Sequence, residues 1–226
     1  MSNYLIDYHV NGHPNYFDFY LFVNPLGRKC YAFEQEILKV KTLISSKINL
    51  NILCIHNESV INDFIQRLGY QPGNLALRNE LYTKLYQSAL AIKAASFQGK
   101  RKGRNFLMAF QKEICAELSR VSEETIYSIA EDCQLDLDLF DEDFHSDFVK
   151  ELYFKDLRIA KSMGVKRTPT LVIFDSMNER AGFIIDKAFS HEAVLEQLDM
   201  MMYHQCHSNM ISTTHDKHPL TLLRNL

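Results

Sequence analysis

The spacing of apolar residues changes early in the chain, and this change predicts a strand followed by a helix. Residues 16–23 are aromatic or aliphatic at almost every position, as in a buried strand. Asn24-Pro25 interrupts this run. From Cys30 the apolar residues recur at helical spacing and form one stripe, namely Phe33, Ile37, Val40 and Ile44. Residues 48–55 predict a second strand, covered on both faces, so the order is strand, helix, strand with a right-handed crossover.

The middle of the chain, residues 56–166, has helical spacing and no strand pattern. Ser122 is a favourable N-cap, and the two glutamates that follow it suit the first turn of a helix. Three helices are predicted before Ser122. They are a short one at 57–68, one through Leu81 and Ile92 that ends at Gly99, and one marked by Phe106, Phe110, Ile114 and Leu118. Two more follow, one from Ser122 to about Cys133 and one introduced by Asp141–Asp143 that runs to Met163 and is ended by Gly164.

The strand pattern returns after this helical segment. Residues 170–174 predict a strand, residues 175–180 a turn and residues 182–185 a short antiparallel partner. Ser190 is then expected to cap a last helix. Its core-facing residues are Val194, Leu195, Leu198, Met201 and Met202, and after Tyr203 the polar, histidine-containing tail has no period.

This order of elements predicts an α/β protein with a thioredoxin-like fold into which a helical domain is inserted. In that fold the Pro169 peptide bond is cis and lies beside the cysteine at the helix start, and Arg167-Thr168-Pro169-Thr170 leads directly into the third strand. The expected divisions are a split thioredoxin-like domain at 16–55 and 167–204, an inserted helical domain at 56–166, and mobile arms at 1–15 and 205–226.

Composition narrows the possible functions. The formal net charge of -3 argues against a general nucleic-acid binder, which needs a basic face. The N-terminus lacks the pattern of a signal peptide, and no apolar run has the length of a membrane helix. The five cysteines are scattered and none forms a Cys-x-x-Cys pair, so we expect a reducing, cytoplasmic compartment.

Four segments carry a resemblance to a known family. They are Pro25-Leu26-x-x-x-Cys30-Tyr31-Ala32-Phe33-Glu34, the stretch from Ala89 to Gly99 that ends in Ser96-Phe97-Gln98-Gly99, the stretch from Leu135 to Phe140, and Leu157-Arg158-Ile159-Ala160-Lys161 ahead of Thr168-Pro169-Thr170. With these segments the chain resembles the DsbA-like branch of the thioredoxin superfamily, and within it the YjbH/SpxH group of cytoplasmic ClpXP adaptors. The resemblance implies recognition of a Spx-like transcription regulator and its delivery to the ClpXP protease, with no cofactor, no direct nucleic-acid contact and no membrane.

The chain departs from the redox pattern of that branch at its central motif. A DsbA-like enzyme carries Cys-x-x-Cys, in which the first cysteine is the nucleophile. Here the four residues are Gly27-Arg28-Lys29-Cys30, so Gly27 stands at the nucleophile position and Cys30 at the resolving position. Disulfide exchange needs one sulfur to attack and one to release the mixed disulfide, so this site cannot complete that cycle alone.

Each candidate site has a functional and a structural interpretation. Cys30 is either a thiol that Arg28 and Lys29 activate or a packed remnant of the redox motif. Thr168-Pro169 either offers backbone groups to a partner peptide by strand addition or is a structural turn. The basic turn formed by Lys100, Arg101, Lys102 and Arg104 is either a docking patch for an acidic partner or a solvated loop.

No metal is expected. The acidic residues Asp136, Asp138, Asp141, Glu142 and Asp143 lack the glycine of a calcium loop and are interrupted by leucines, so they predict a helix start. The tail residues His204, Cys206, His207, His215 and His218 could bind zinc, but their spacing does not match a zinc motif on one structured element.

The sequence therefore leads to two hypotheses of different class. The first is a non-catalytic adaptor that binds a Spx-like regulator and promotes its degradation by ClpXP, acting through its surface. The second is an enzyme, a monothiol or glutathione-dependent oxidoreductase or isomerase in which glutathione supplies the missing sulfur. Gly27 offers neither a hydroxyl nor a thiol, which weighs against the enzyme.

Overall fold

A computed structural model shows the predicted α/β architecture, with a mixed set of strands and helices in the predicted order. No described helix is long and apolar enough to cross a membrane. The structure describes residues 5–10, 12–67, 69–71, 73–114, 117–177 and 182–208.

The elements follow the apolar pattern closely. The first strand of the sheet, Tyr16–Val23, has the predicted bounds, and the helix after it buries Phe33, Ile37 and Val40 completely. The elements in chain order are β1 (His9–Val10), β2 (His13–Pro14), β3 (Tyr16–Val23), α1 (Arg28–Leu43), β4 (Lys47–Cys54), α2 (Glu58–Arg67), α3 (Leu75–Phe97), α4 (Lys100–Ile114), a 3₁₀ turn (Leu118–Arg120), α5 (Glu123–Asp132), α6 (Leu137–His145), α7 (Asp147–Ser162), β5 (Thr170–Asp175), β6 (Phe183–Ile185) and α8 (His191–Ser208).

The larger sheet has the strand order β4-β3-β5-β6. The predicted hairpin is confirmed, because β5 pairs with β6 in antiparallel register with Val172 opposite Ile184. Every residue of β5 is buried, which explains its continuous apolar sequence.

The residues group into two compact units. The first draws its described residues from Met1–Leu21, Ala32–Asn51 and Thr170–Leu226, and the second from Phe22–Tyr31 and Ile52–Pro169. The domain boundaries predicted from the sequence, at 55/56 and 166/167, stay a prediction.

The N-terminal segment makes contacts that the sequence pattern did not predict. β1 and β2 form a small antiparallel hairpin. The backbone of Ile6 accepts a hydrogen bond from Ser45 N–H and donates one to Leu43 O, both at 2.9 Å. Tyr8 is buried, and its hydroxyl donates to Asp199 Oδ1 at 2.8 Å. Residues 5–15 therefore bond to α1, to α8 and to the turn before β4, while residues 1–4 and 11 lie outside the described part.

In the second unit, α3 and α4 form a tight helical hairpin around Gly99, whose φ is +123°. Gly103 lets the two backbones approach closely, because a Cβ at this position would lie 2.7 Å from Ser96 Cα and 2.8 Å from Ser96 Cβ. The adjacent Gln98 fixes the start of α6. Its side-chain amide donates to Asp136 O and accepts from Asp136 N–H, both at 2.8 Å. The end of the Ser96-Phe97-Gln98-Gly99 motif thus holds three helices together.

Three sequence predictions of helix extent were wrong. The helix that contains Phe106 ends at Ile114, and Leu118, expected to mark it, lies in the 3₁₀ turn. The segment expected to be one helix from Asp141–Asp143 to Met163 is two helices, because Ser146 has extended backbone and its Oγ accepts from Val149 N–H at 3.1 Å as the N-cap of α7. The first of the two helices begins already at Leu137. The last helix, expected to lose its order after Tyr203, continues to Ser208.

Glu36 of α1 joins the start of α8 in the first unit. Its carboxylate accepts from the backbone N–H of His191 at 3.1 Å, contacts His191 Nδ1 at 2.5 Å and accepts from Lys39 Nζ at 2.5 Å. The hydrogen bond from Lys39, followed by that from His191, lowers the pKa of Glu36 from 4.5 to about 2.

We predict that Gly103→Ala destabilises the protein by about 1–3 kcal/mol, because the new methyl group collides with the α3 backbone. Alanine has a higher helix propensity than glycine by about 1 kcal/mol. A decrease in the free energy of unfolding would therefore be caused by the steric collision and not by helix propensity. Urea unfolding measures the change. Gly73→Ala, at a site with nothing within 4 Å, is the matched control and should stay near wild type.

The ionised Glu36 should contribute to acid stability in a defined pH window. Because its folded pKa is about 2 and its unfolded pKa about 4.5, the contribution is complete above about pH 4.5 and is lost as the pH falls towards 2. Glu36→Gln should remove this part of the pH dependence of the free energy of unfolding. Glu196→Gln, on an exposed carboxylate of α8, should retain it, and equal pH profiles for both variants would contradict the assignment.

Candidate functional site

The turn between β3 and α1 is organised by Asn24. Its backbone N–H donates to Cys30 Sγ at 3.2 Å, its Oδ1 accepts from Leu26 N–H at 2.8 Å, and its backbone O accepts from Gly27 N–H at 3.0 Å. These bonds hold the backbone of Asn24–Gly27 against the sulfur of Cys30. These residues therefore form a closed, hydrogen-bonded turn at the start of α1.

The geometry between Gly27 and Cys30 still fits a disulfide. A Cβ built on Gly27 would lie 3.1 Å from Cys30 Sγ. In a disulfide, an S–S bond of about 2.04 Å places the Cβ of one cysteine about 3 Å from the sulfur of the other. For a side chain that forms no bond to Cys30, a Cβ–Sγ distance of 3.1 Å is too short for a comfortable contact. For a cysteine at position 27 the same distance allows its sulfur to bond to Cys30 Sγ. The backbone at positions 27 and 30 therefore has a spacing that suits a pair of cysteines.

The surroundings of Cys30 limit what its thiol can do. Cys30 is only 2% exposed and Gly27 is buried, whereas the side chains of Arg28 and Lys29 are exposed. Among the described residues, Cys30, Cys54 and Cys133 are in the thiol form and take part in no disulfide. A single buried sulfur cannot carry out both steps of disulfide exchange. The role of Gly27-Arg28-Lys29-Cys30 as a redox remnant stays a prediction.

The Thr168–Pro169 peptide bond is cis, as predicted from the topology. Both residues are buried, and they belong to the same compact unit as Gly27 and Cys30. Partner binding at this loop stays a prediction.

The four basic residues do not lie in a turn between helices, as the sequence suggested. They occupy the first two turns of α4, because Gly99 alone reverses the chain. Lys100 and Arg101 are exposed, while Lys102 and Arg104 are half-buried. Lys102 Nζ donates to Gln134 O at 3.0 Å, beyond the end of α5, so it has a structural role. A docking role for this group stays a prediction.

Sequence analysis missed a buried histidine beside a cavity in the second unit. His56 follows β4 and is 5% exposed, and its Nδ1 hydrogen-bonds to the hydroxyl of Tyr153. Burial lowers the pKa of His56 to about 4, so the ring is neutral at pH 7. The cavity measures about 290 Å³ and includes Tyr82 and Arg78 in its wall. In the sequence, the position of His56 just after a predicted strand is the one indication of a site. The pairing with Tyr153 could not be predicted, because the two residues are far apart in the sequence.

Among the described residues, one group has the chemistry of a metal site. Glu36, His191 and Glu192 place possible ligand atoms within 4.8 Å of one another. Glu36 already bonds to Lys39 and His191, and the group lies at the N-terminus of α8, where the helix dipole disfavours a cation. We assign no metal to it. The histidines and the cysteine of the tail, from His204 onward, lie outside the residues whose side chains are described.

Comparison with known sequences supports the thioredoxin-like fold. The profile of the family described as Thioredoxin matches residues 20–197. The ClpXP adapter protein SpxH of Bacillus licheniformis is 30% identical over 210 residues, which cover 86% of this chain and 70% of that protein. The ClpXP adapter protein SpxH of Bacillus subtilis is 29% identical over 222 residues, which cover 89% of this chain and 74% of that protein.

Solved structures with a similar fold are DsbA-like oxidoreductases. Pseudomonas aeruginosa DsbA superposes with a TM-score of 0.58 at 14% identity and covers 91% of both chains. A putative protein disulfide isomerase from Nitrosomonas europaea superposes with a TM-score of 0.60 at 14% identity, covering 83% of this chain and 98% of its own. At these identities the likeness establishes the DsbA-like fold alone.

We predict that Gly27→Cys forms a disulfide with Cys30 in an oxidising buffer, because the two side chains meet at bonding distance. Mass spectrometry after thiol alkylation should show two fewer reactive thiols than in the reduced variant. Gly27→Ala is the control. It cannot form the bond, and the crowding against Cys30 Sγ should lower its stability. A Gly27→Cys variant that keeps both thiols free under oxidation would show that the turn has lost the redox geometry.

Proposed function

Because the chain belongs to the SpxH family of thioredoxin-like proteins, we propose that it is an adaptor that binds a Spx-like transcription regulator and promotes its degradation by the ClpXP protease. The observation that carries this proposal is the similarity to SpxH proteins over most of the chain, combined with a redox turn that holds one sulfur. An adaptor of this kind would work in the cytoplasm, where ClpXP acts, without nucleic acid or membrane contact.

The chemistry of the site supports a non-catalytic role. Cys30 is buried and accepts a hydrogen bond from Asn24 N–H, so it stabilises the start of α1 rather than facing a substrate. An adaptor needs no bond-breaking step. It raises the effective concentration of the substrate at the protease, which can increase the apparent affinity by a factor of about 10²–10⁴.

A second candidate is a glutathione-dependent oxidoreductase or isomerase. The observation in its favour is the retained geometry between Gly27 and Cys30 in a DsbA-like fold. Here the Cys30 thiolate would attack a substrate disulfide and release one substrate thiol. One reduced glutathione would then displace Cys30 and leave a substrate–glutathione disulfide, which a second glutathione would reduce, with oxidised glutathione as the product. The burial of Cys30 opposes this function, because an attacking thiol must reach the sulfur.

Two assays on the purified protein distinguish the two functions, one of Spx degradation by ClpXP and one of insulin reduction. We expect the purified protein to accelerate degradation of a Spx protein by ClpXP at least tenfold, and Cys30→Ser to accelerate it as much as wild type. Neither protein should reduce insulin in the presence of glutathione. Lack of acceleration at saturating protein would reject the adaptor role, and an insulin-reducing activity that Cys30→Ser abolishes would establish the enzyme.

A further inference from the structure

The acidic residues of the chain are concentrated in one stretch. Residues 113–151 contain 13 Asp or Glu and 2 Lys or Arg, a formal charge of -11. The whole chain has 28 acidic and 25 basic residues, so the remainder holds 15 acidic and 23 basic ones and carries +8. The described part of the stretch lies entirely in the second unit and forms the end of α4, α5, α6 and the start of α7. The net charge of -3 for the whole chain is therefore the sum of a strongly acidic stretch and a basic remainder.

Some of these carboxylates have local structural roles. Asp136 caps α6 by accepting from Leu139 N–H at 3.1 Å, and Asp147 pairs with Lys150 at 2.8 Å in the first turn of α7. Asp138 and Glu142 are exposed on α6 and have no ion pair among the described residues. Burial, and after it the charge of Glu142, raises the pKa of the neighbouring Asp143. Neighbouring carboxylates of α6 therefore repel one another, and Asp138 and Glu142 lack an ion-pair partner in the part of the chain that the structure describes.

Large apolar side chains are exposed in the middle of this acidic region. Leu137 is 38% exposed, Leu139 is 52% exposed and Phe148 is 60% exposed. At the end of α3, the ring of Phe97 lies 5.6 Å from the ring of Phe148, in the first turn of α7. Gln98, directly after Phe97, donates a hydrogen bond to the backbone O of Asp136, the N-cap of α6. The end of α3 thus places the starts of α6 and α7 next to each other. Exposed apolar groups rimmed by charge are typical of a protein interaction site.

We propose that this surface is a docking site for a positively charged amphipathic helix of a partner protein. We name it the acidic-apolar surface, and it comprises Leu137, Leu139 and Phe148 together with Asp136, Asp138, Glu142 and Asp147. The apolar side chains would contact the apolar face of the partner helix, and the carboxylates would pair with lysines or arginines on either side of that face. An acidic partner would be repelled at the same surface.

The choice of a basic partner follows from the charges and not from the apolar groups alone. Three exposed apolar side chains would accept many partners. The rim carries four carboxylates, of which Asp147 pairs with Lys150, so its excess negative charge penalises any partner that does not supply positive charge. The site does not depend on the proposed adaptor role, because it is defined by this chain's own residues.

The test uses a synthetic amidated peptide that repeats the pattern Leu-Lys-Lys-Leu-Leu-Lys-Leu twice, with fluorescence anisotropy and no protease present. We expect the peptide to bind the full chain, with an affinity that falls at least tenfold as salt rises from about 50 mM to about 500 mM. A peptide of the same composition, rearranged so that it has no apolar face, should bind at least tenfold more weakly.

Matched variants locate the site. Leu139→Ser with Phe148→Ser should weaken binding at least tenfold, while Leu75→Ser with Ile184→Ser removes equally exposed apolar groups elsewhere and should not. Asp138→Asn with Glu142→Gln should weaken binding and its salt dependence, while Asp7→Asn with Glu196→Gln removes the same charge and should change neither. Circular dichroism confirms folding of each variant. Absence of peptide binding, or equal effects of the site and control variants, would overturn the proposal.

Discussion

The bonds of Asn24 determine how β3 passes into α1, and much of the structure depends on that passage. Its N–H reaches the sulfur of Cys30, and its side-chain and backbone oxygens bond to the residues between them. Because β3 is a central strand of the sheet and α1 buries its whole apolar stripe, a different turn would displace both. The same few bonds close a turn that holds one sulfur, that of Cys30.

The turn between β3 and α1 does not require a second sulfur to form. β3, this turn and the cis Thr168–Pro169 peptide bond are all present in a chain with Gly27 at the first position of the four-residue motif. The acidic stretch lies in the second unit, and exposed apolar side chains lie within it.

Local patterns predicted most of the fold, and long-range bonds account for what they missed. The bounds of β3 and the Ser122 cap follow from neighbouring residues, so the sequence was sufficient for both. The break at Ser146 was missed because apolar spacing continues across it, and only the capping bond to Val149 reveals it. The contacts of residues 5–15 and the pairing of His56 with Tyr153 join positions far apart in sequence. The sequence alone shows that Gly27 stands three residues before Cys30. It does not show how close a Cβ at position 27 would come to Cys30 Sγ.

The contact between α3 and α4 has a consequence for sequence variation. The atoms that a side chain at position 103 would meet include Ser96 Cα as well as its Cβ and Oγ. Replacing Ser96 by a smaller residue would remove the Cβ and the hydroxyl but not the Cα, so no substitution at position 96 could make room. Position 103 is thus restricted to glycine by the neighbouring backbone itself, and homologous chains with this hairpin spacing should show no compensating pair of substitutions there.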